Sequence, residues 1–178
     1  MGWMRLAFTA WQGLVMLEQT SERREKYDLA RARADQVGKP LLVVGGPYGD
    51  NPFRCLLDLR AHGHGDVCLD IEARACEGAP TAVVADVRDI PFPAGHFGAC
   101  LVSHVLEHMP TIADCEQAVR ELSRVADVVY VAGPRKTSLL AHIIPDHHLW
   151  VEEEDGVLYA EERTWWNRVT GRPPRDWE

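Results

Sequence analysis

Several features that often reveal a protein's function are missing from this sequence of 178 residues. It has no run of Lys or Arg, and its formal net charge is −8 at pH 7. Because duplex nucleic acid is bound largely through basic side chains that contact phosphates, this charge balance argues against nucleic acid as a partner. A small or neutral substrate suits the chain better.

Cysteines are few, and their spacing forms no C-x-x-C pair. The five are Cys55, Cys68, Cys76, Cys100 and Cys115. This spacing argues against a cysteine-based zinc site or redox motif. Most of them fall in predicted strands or helices, so we expect reduced core residues of a cytoplasmic protein.

No apolar run is long enough to span a bilayer. Residues 1–17 form the most apolar segment, and we predict a helix there, followed by a more solvated helix over residues 20–37. The first helix carries an apolar stripe at helical spacing: Trp3, Met4, Ala7, Phe8, Trp11, Leu14 and Val15. Because such a stripe will not stay exposed, we expect it to pack against protein, within the monomer or across a homodimer. Contact with another partner, or peripheral attachment to a membrane surface, stays open.

The rest of the chain is organised around residues 41–53, LLVVGGPYGDNPF. An apolar, β-branched run ends in a turn that contains Gly45, Gly46 and Gly49, and an N-cap residue and a proline suited to a helix start follow. A strand, a glycine turn and a helix start are typical of the nucleotide-binding corner of an open α/β sheet. The glycine spacing is not G-x-G-x-x-G, which makes a dinucleotide-dependent oxidoreductase the weaker interpretation.

Alternating apolar segments after this turn predict further strands and helices. Two of the predicted strands end in an acid, Asp70 and Asp86, and Asp70 stands where such folds bind ribose hydroxyls. The alternation indicates a doubly wound, mostly parallel sheet with helices on both faces. The predicted elements are a helix over 53–61, strands over 66–70, 81–86, 99–103 and 128–132, and a helix over 114–125.

Residues 85–109, ADVRDIPFPAGHFGACLVSHVLEHM, are followed by RELSRV. With the glycine turn, they resemble class I S-adenosylmethionine-dependent methyltransferases, particularly the small-molecule and lipid-modifying group. The resemblance covers about residues 41–133. It implies a Rossmann-like fold, S-adenosyl-L-methionine as cofactor, and a small-molecule or lipid-linked acceptor. The cofactor-binding residues that it implies are Gly45, Gly46, Gly49, Asp70, Asp86, Val87 and Ser103.

Methyl transfer from a sulfonium is an in-line displacement, so the protein's main task is to align the reactants and exclude water. A metal is not required. If the acceptor is a hydroxyl or an amine, a neutral histidine can take its proton. The resemblance puts His104 and His108 beside the methyl donor, and these are the predicted catalytic residues.

The chain also departs from the family pattern. Val43 replaces an acid of the first strand, Pro47 replaces a central glycine, and Gly98 replaces the acid that usually follows Phe97. A proline-glycine-glycine turn before the fifth strand is missing. These losses favour a second hypothesis, a non-catalytic methyltransferase-like binding module. The retained acids Asp70 and Asp86 argue against it.

Histidines cluster after the predicted fifth strand, on the side where such sheets bind substrate. His104 and His108, four residues apart, could share a metal on a helix, but the H-E-x-x-H order is absent. His142, Asp146 and His147 are another candidate metal cluster, with His148 next to them. Three ligands on a single short segment make a poor metal site, so we favour a polar, substrate-lining loop and expect no metal.

The predicted domain organisation has three parts. Residues 1–40 form an N-terminal helical extension, residues 41–163 the methyltransferase-like domain, and residues 164–178 a C-terminal tail. Within the domain, residues 151–163 are predicted to include a final hairpin strand.

Overall fold

A computed structural model describes residues 2–48, 56–154 and 157–163. Two short 3-10 turns, Ala73–Cys76 and Leu106–His108, lie between the regular elements. In chain order the helices and strands are α1 (Gly2–Val37), β1 (Leu41–Val44), β2 (Val67–Asp70), β3 (Ala82–Val84), β4 (Ala99–Ser103), α2 (Ile112–Val125), β5 (Val129–Ala132), α3 (Leu139–Ile143), β6 (Leu149–Glu154) and β7 (Val157–Glu162).

Strands β1 to β5 form one parallel sheet in the order β3-β2-β1-β4-β5. The strand β1 is central, and the chain adds strands first on one side of it and then on the other. The predicted fold class, a Rossmann-like parallel sheet with helices, is confirmed. In such a sheet the crevice for a ligand lies at the carboxyl ends of the strands, where the strand order reverses. Here the reversal lies between β1 and β4.

Helices cover both faces of the sheet. One face packs against α1 through Ala30, Ala34, Leu41, Val43, Ala99 and Leu101. The other packs against α2 in a larger core that includes Leu42, Val44, Cys100, Val102, Ala118, Leu122 and Val125. The central strands β1 and β4 are therefore buried on both sides, which explains their nearly continuous apolar sequences.

Residues 2–37 form one helix rather than the two that the sequence predicted. No glycine or proline stands at the expected break near residues 18–20, so the helix continues through it. Val15 is buried, whereas Trp11 and Leu14 are 46% and 58% exposed, so the described part of the stripe is only partly buried. The side chains of Trp3, Met4, Ala7 and Phe8 lie outside the described residues. Among the described helices, none has the length and apolar character needed to cross a bilayer.

The predicted helix over residues 53–61 is wrong at its carboxyl end. Residues 57–61 are not helical, and Asp58 has a left-handed backbone with φ of 50°. Leu56, Leu57 and Leu59, expected on a buried face, are all more than half exposed. Residues 49–55 lie outside the described part of the chain.

The expectation that all the cysteines are reduced is also wrong. Cys68 of β2 and Cys76 form a disulfide, with their Cα atoms 5.5 Å apart. The chain turns back after β2, which brings together two cysteines separated by 8 positions. Cys100 and Cys115 are free and buried, as predicted, whereas Cys55 is not among the described residues.

The hairpin predicted near the carboxyl end is present as a separate two-stranded antiparallel sheet. Strands β6 and β7 pair with each other, from Leu149 opposite Glu162 to Glu154 opposite Val157. Leu149 and Val151 join the core on the α2 side of the main sheet. The hairpin is therefore anchored to the domain by its first strand.

Gly98 lets α1 approach the start of β4. A Cβ atom at this position would lie 2.5 Å from Cγ2 of Val37 and 2.9 Å from Cα of Ala34. Real Cβ atoms are not found so close to a backbone carbon, so any side chain here pushes the helix away from the sheet. The glycine is therefore explained by packing between α1 and β4.

We expect Gly98→Ala to lower the free energy of unfolding by about 1–3 kcal/mol, because the added methyl group overpacks this contact. Urea denaturation measures the effect. The matched control is Gly13→Ala, since Gly13 also lies on α1 but has open space around its Cβ position. That substitution should stabilise the helix by about 0.5–1 kcal/mol. An unchanged midpoint for Gly98→Ala would contradict the packing argument.

His62 is a second anchor of α1. Its ring is buried, its Nε2 lies 3.3 Å from Nη2 of Arg23, and Tyr27 stacks at 6.0 Å between ring centroids. Its Nδ1 donates to the carbonyl oxygen of Gly63 at 2.8 Å, so Nε2 accepts from Arg23. Burial, followed by the charge of Arg23, lowers the pKa of His62 to about 3. The folded protein therefore holds this ring neutral.

This lowered pKa predicts a loss of stability in mild acid. Below its ordinary pKa of about 6.5, His62 takes up a proton in the unfolded chain but not in the folded one, until the pH nears 3. The contribution of His62 to the free energy of unfolding is complete above pH 6.5. It declines as the pH falls, by up to about 1.4 kcal/mol per pH unit. Urea unfolding between pH 7 and 4 should show a shallower decline for His62→Gln than for the parent. The exposed His96→Gln serves as control and should follow the parent. Parallel profiles for parent and His62→Gln would refute this account.

Candidate functional site

The glycine turn lies at the carboxyl end of β1, the central strand. Gly45 has a φ of +91°, and its N–H donates to the carbonyl oxygen of Leu69 at 3.1 Å. A Cβ atom on Gly45 would overlap the carbonyl oxygen of Ser103, and one on Gly46 would lie 2.6 Å from that of Ala75. Both glycines are therefore required by the packing of the chain itself. Gly49 lies outside the described residues.

Asp70 ends β2, the strand next to β1, and so lies at the same edge of the sheet as Gly45. Its side chain is partly buried, and Oδ1 accepts from the N–H of Glu72 at 2.9 Å. The structure thus brings the predicted ribose-binding acid to the glycine turn. Its role in cofactor binding stays a prediction.

Asp86 follows β3 and is held by Arg88. The guanidinium donates to both carboxylate oxygens, with Nη2 2.7 Å from Oδ2, and it also reaches Asp114 at 2.8 Å. Burial opposes ionisation of Asp86, but the hydrogen bonds from Arg88 lower its pKa overall. Val87, beside it, is buried in the core. The carboxylate predicted to contact adenine is therefore already engaged in an ion pair.

The end of β4 carries Ser103 and His104 next to the strand reversal. Ser103 is 1% exposed, and its Oγ has no hydrogen-bond partner among the described residues. His104 has a left-handed backbone with φ of 55°, and its N–H donates to the carbonyl oxygen of Ala132. A left-handed histidine is uncommon, and such strained residues concentrate at functional sites.

Glu107 is a residue that the sequence analysis missed. It is 1% exposed, and its Oε1 lies 3.1 Å from Nδ1 of His104. Burial disfavours its charged form, but the hydrogen bond and charge of His104, with smaller contributions from His108 and His147, lower its pKa to about 2. Glu107 is therefore an ionised carboxylate in the interior. The sequence feature that could have identified Glu107 is its position three residues after His104 and directly before His108.

His108 and His147 complete a cluster around Glu107. Nδ1 of His108 donates to the backbone carbonyl of Asp146 at 3.0 Å, and the rings of the two histidines meet edge to face at 4.8 Å. His147 is 2% exposed, its Nδ1 has no hydrogen-bond partner among the described residues, and burial lowers its pKa to about 4. One possible ligand atom from each of Glu107, His108 and His147 lies within 4.8 Å of the others.

This grouping differs from the cluster considered in the sequence. His142 lies elsewhere: its Nε2 is 2.7 Å from the carbonyl oxygen of Lys136, and its ring packs against Trp150. Asp146 contributes its backbone carbonyl to His108. Of the three ligands considered on the segment before β6, only His147 belongs to the cluster. Its partners, Glu107 and His108, lie in the turn after β4, and this contact between distant parts of the chain could not be read from the sequence.

Arg163 holds the segment that carries His147. This buried guanidinium donates to the carbonyl oxygens of His147 at 2.7 Å and His142 at 3.0 Å, and it stacks over the ring of Trp150. A backbone hydrogen bond from His148 to the carbonyl oxygen of Glu107 joins this segment to the turn after β4. The position of His147 therefore depends on contacts from the end of β7.

We expect Arg163→Met to lower the free energy of unfolding by about 1.5–3 kcal/mol, because buried carbonyl groups lose a charged donor. The control is Lys136→Met, since Lys136 contacts the same hairpin through exposed ion pairs with Glu152 and Glu161. Loss of those surface pairs should cost less than about 1 kcal/mol. Equal effects of the two substitutions in urea denaturation would show that Arg163 does not organise this segment.

Comparison with models of known protein families agrees with the fold. Residues 51–127, under half of the chain, match the family model described as a methyltransferase domain. The match confirms the resemblance inferred from the sequence. A search of solved structures finds the PH0226 protein from Pyrococcus horikoshii OT3, at 14% identity and a TM-score of 0.39, covering 83% of this chain and 79% of that one. No curated protein matches the sequence significantly.

Proposed function

Because residues 51–127 resemble a methyltransferase domain, we propose that the protein transfers a methyl group from S-adenosyl-L-methionine to a small-molecule or lipid-linked acceptor. The observation that supports this most is the edge of the sheet at the strand reversal. Asp70, the glycine turn and Ser103 lie there on three adjacent strands, β2, β1 and β4. An acid, a glycine turn and a small polar residue in that order suit a nucleoside cofactor.

The residues at this edge fit the cofactor in part. The Asp70 carboxylate suits ribose hydroxyls, and the buried Ser103 hydroxyl lacks a partner among the described residues. Asp86 fits less well, since Arg88 occupies both of its oxygens. When bound, S-adenosyl-L-methionine supplies the electrophilic methyl group. The residues that would hold it are Gly45, Gly46, Asp70 and Ser103.

The pair of His104 and Glu107 supplies a candidate general base. A carboxylate 3.1 Å from Nδ1 orients the ring, as in other pairs of a base and the group that positions it. Nε2 of His104 is buried and has no hydrogen-bond partner among the described residues. We propose that this nitrogen takes the proton of a hydroxyl or amine acceptor. His108, the other predicted base, donates its Nδ1 proton to a neutral backbone carbonyl, that of Asp146, rather than to a carboxylate.

One observation favours the alternative, a non-catalytic module. Both oxygens of the Asp86 carboxylate accept hydrogen bonds from Arg88. A site that no longer bound adenine would tolerate such an ion pair. The two hypotheses differ in a simple measurement. A methyltransferase binds S-adenosylmethionine and its product S-adenosylhomocysteine, whereas a non-catalytic module that has lost the site binds neither.

Titration calorimetry with S-adenosylhomocysteine tests the proposal. We expect the parent to bind and Asp70→Ala to lose about 1.5–3 kcal/mol of binding free energy, because ribose hydroxyls lose a charged acceptor. Asp89→Ala, at an exposed carboxylate on the loop after β3, is the control and should bind like the parent. Absence of binding by the folded parent would favour the non-catalytic module. Equal affinity of Asp70→Ala and parent would remove Asp70 from the site.

A further inference from the structure

We propose that Glu107, His108 and His147 form a binding site for a divalent transition-metal ion such as Zn²⁺. The three side chains come from two segments, the turn after β4 and the loop before β6, and their ligand atoms lie within 4.8 Å of one another. Two imidazoles and one carboxylate are a known ligand set for zinc and for other first-row transition metals. The inference does not depend on methyl transfer.

The orientation of His108 suits a metal ligand. A carbonyl oxygen can only accept, so the hydrogen bond from Nδ1 to Asp146 places the ring proton on Nδ1. In the neutral ring Nε2 then carries the lone pair. Metal-binding histidines usually donate their second ring nitrogen to a carbonyl or a carboxylate in this way, which fixes both the tautomer and the direction of the ligand.

His147 and Glu107 lack sufficient partners of their own. Nδ1 of His147 is buried without a hydrogen bond among the described residues, which is costly for a polar atom in the interior. The Glu107 carboxylate is buried beside imidazoles, with His104 as its close contact at 3.1 Å. A carboxylate has two oxygens, so one can face His104 while the other binds a cation. A metal ion would satisfy both groups at once.

The two segments are already held together without an ion. The N–H of His148 donates to the carbonyl oxygen of Glu107 at 2.7 Å, and Arg163 fixes the carbonyl oxygen of His147. In a tetrahedral zinc site with ligand distances of about 2.0–2.2 Å, ligand atoms lie about 3.4 Å apart. Side-chain rotations that bring the ligand atoms together by roughly 1 Å would complete such a geometry.

The site also leaves room for chemistry. Three protein ligands leave a fourth position of a tetrahedral ion for water or for an oxygen of a bound molecule, as in catalytic zinc sites. Glu107 links the cluster to His104, which directly follows β4 at the reversal of the sheet. A metal here would therefore lie beside the predicted methyl-transfer edge. Its binding can be measured without any acceptor.

The test uses the full chain without an affinity tag, stripped with a chelator and titrated with Zn²⁺ against a chromophoric competitor. We expect one Zn²⁺ per chain and a higher melting temperature when it is bound, because a ligand of the folded state stabilises it. His147→Ala and Glu107→Gln should each weaken binding by at least about tenfold. His142→Ala removes a histidine from the same region but outside the cluster, and it should bind like the parent.

Glu107→Gln keeps the size of the side chain, so it serves as the main variant if His147→Ala does not fold, as judged by circular dichroism. Mg²⁺ at the same concentration should not raise the melting temperature, because it prefers oxygen ligands. The proposal is overturned if the parent binds no stoichiometric Zn²⁺, or if Glu107→Gln binds it as tightly as the parent. A thermal shift with Mg²⁺ and none with Zn²⁺ would also overturn it.

Discussion

The close packing of α1 on the central strands is the contact on which the rest of the structure depends. Small residues, Ala30 and Ala34, face Leu41 and Leu101 with no exposed surface on either side. Fully buried apolar side chains contribute about 1.5–3 kcal/mol each when large, and here they belong to the two strands at the reversal of the sheet. Without α1 one face of β1 and β4 would be open to water. The edge that carries the candidate site would then lack a rigid support.

This contact also explains two departures from the family pattern. Val43 is fully buried in the cluster beneath α1, and Gly98 leaves the space that Ala34 and Val37 occupy. In the sequence, the absence of an acid at each of these two positions suggests a cofactor site that has degenerated. In the structure an acid at either position would be buried against the helix, at high cost without a partner. The two departures are thus consequences of packing and are weak evidence for loss of cofactor binding.

The sheet could be predicted well from the sequence because a parallel strand that is buried on both faces consists of a short, continuous run of apolar residues. The strands over 41–44 and 99–103 have the predicted bounds, and the others differ by one or two residues at their ends. Features set by distant contacts were not predictable in this way. The disulfide, the pairing of Asp86 with Arg88, and the cluster of Glu107 with His147 all depend on chain reversals. The single long helix was missed because the apolar stripe gives way to a more solvated segment near Thr20, although nothing there stops a helix from continuing.

The turn after β4 combines two chemical possibilities in the five residues from His104 to His108. His104 has a left-handed backbone, and the Glu107 carboxylate lies close enough to orient its ring. Glu107 and His108 also form the candidate metal site together with His147. Glu107 is common to both, so a cation bound to its carboxylate would change the charge that faces Nδ1 of His104 at 3.1 Å. Metal binding and the orientation of the His104 ring are therefore expected to be coupled through one buried carboxylate.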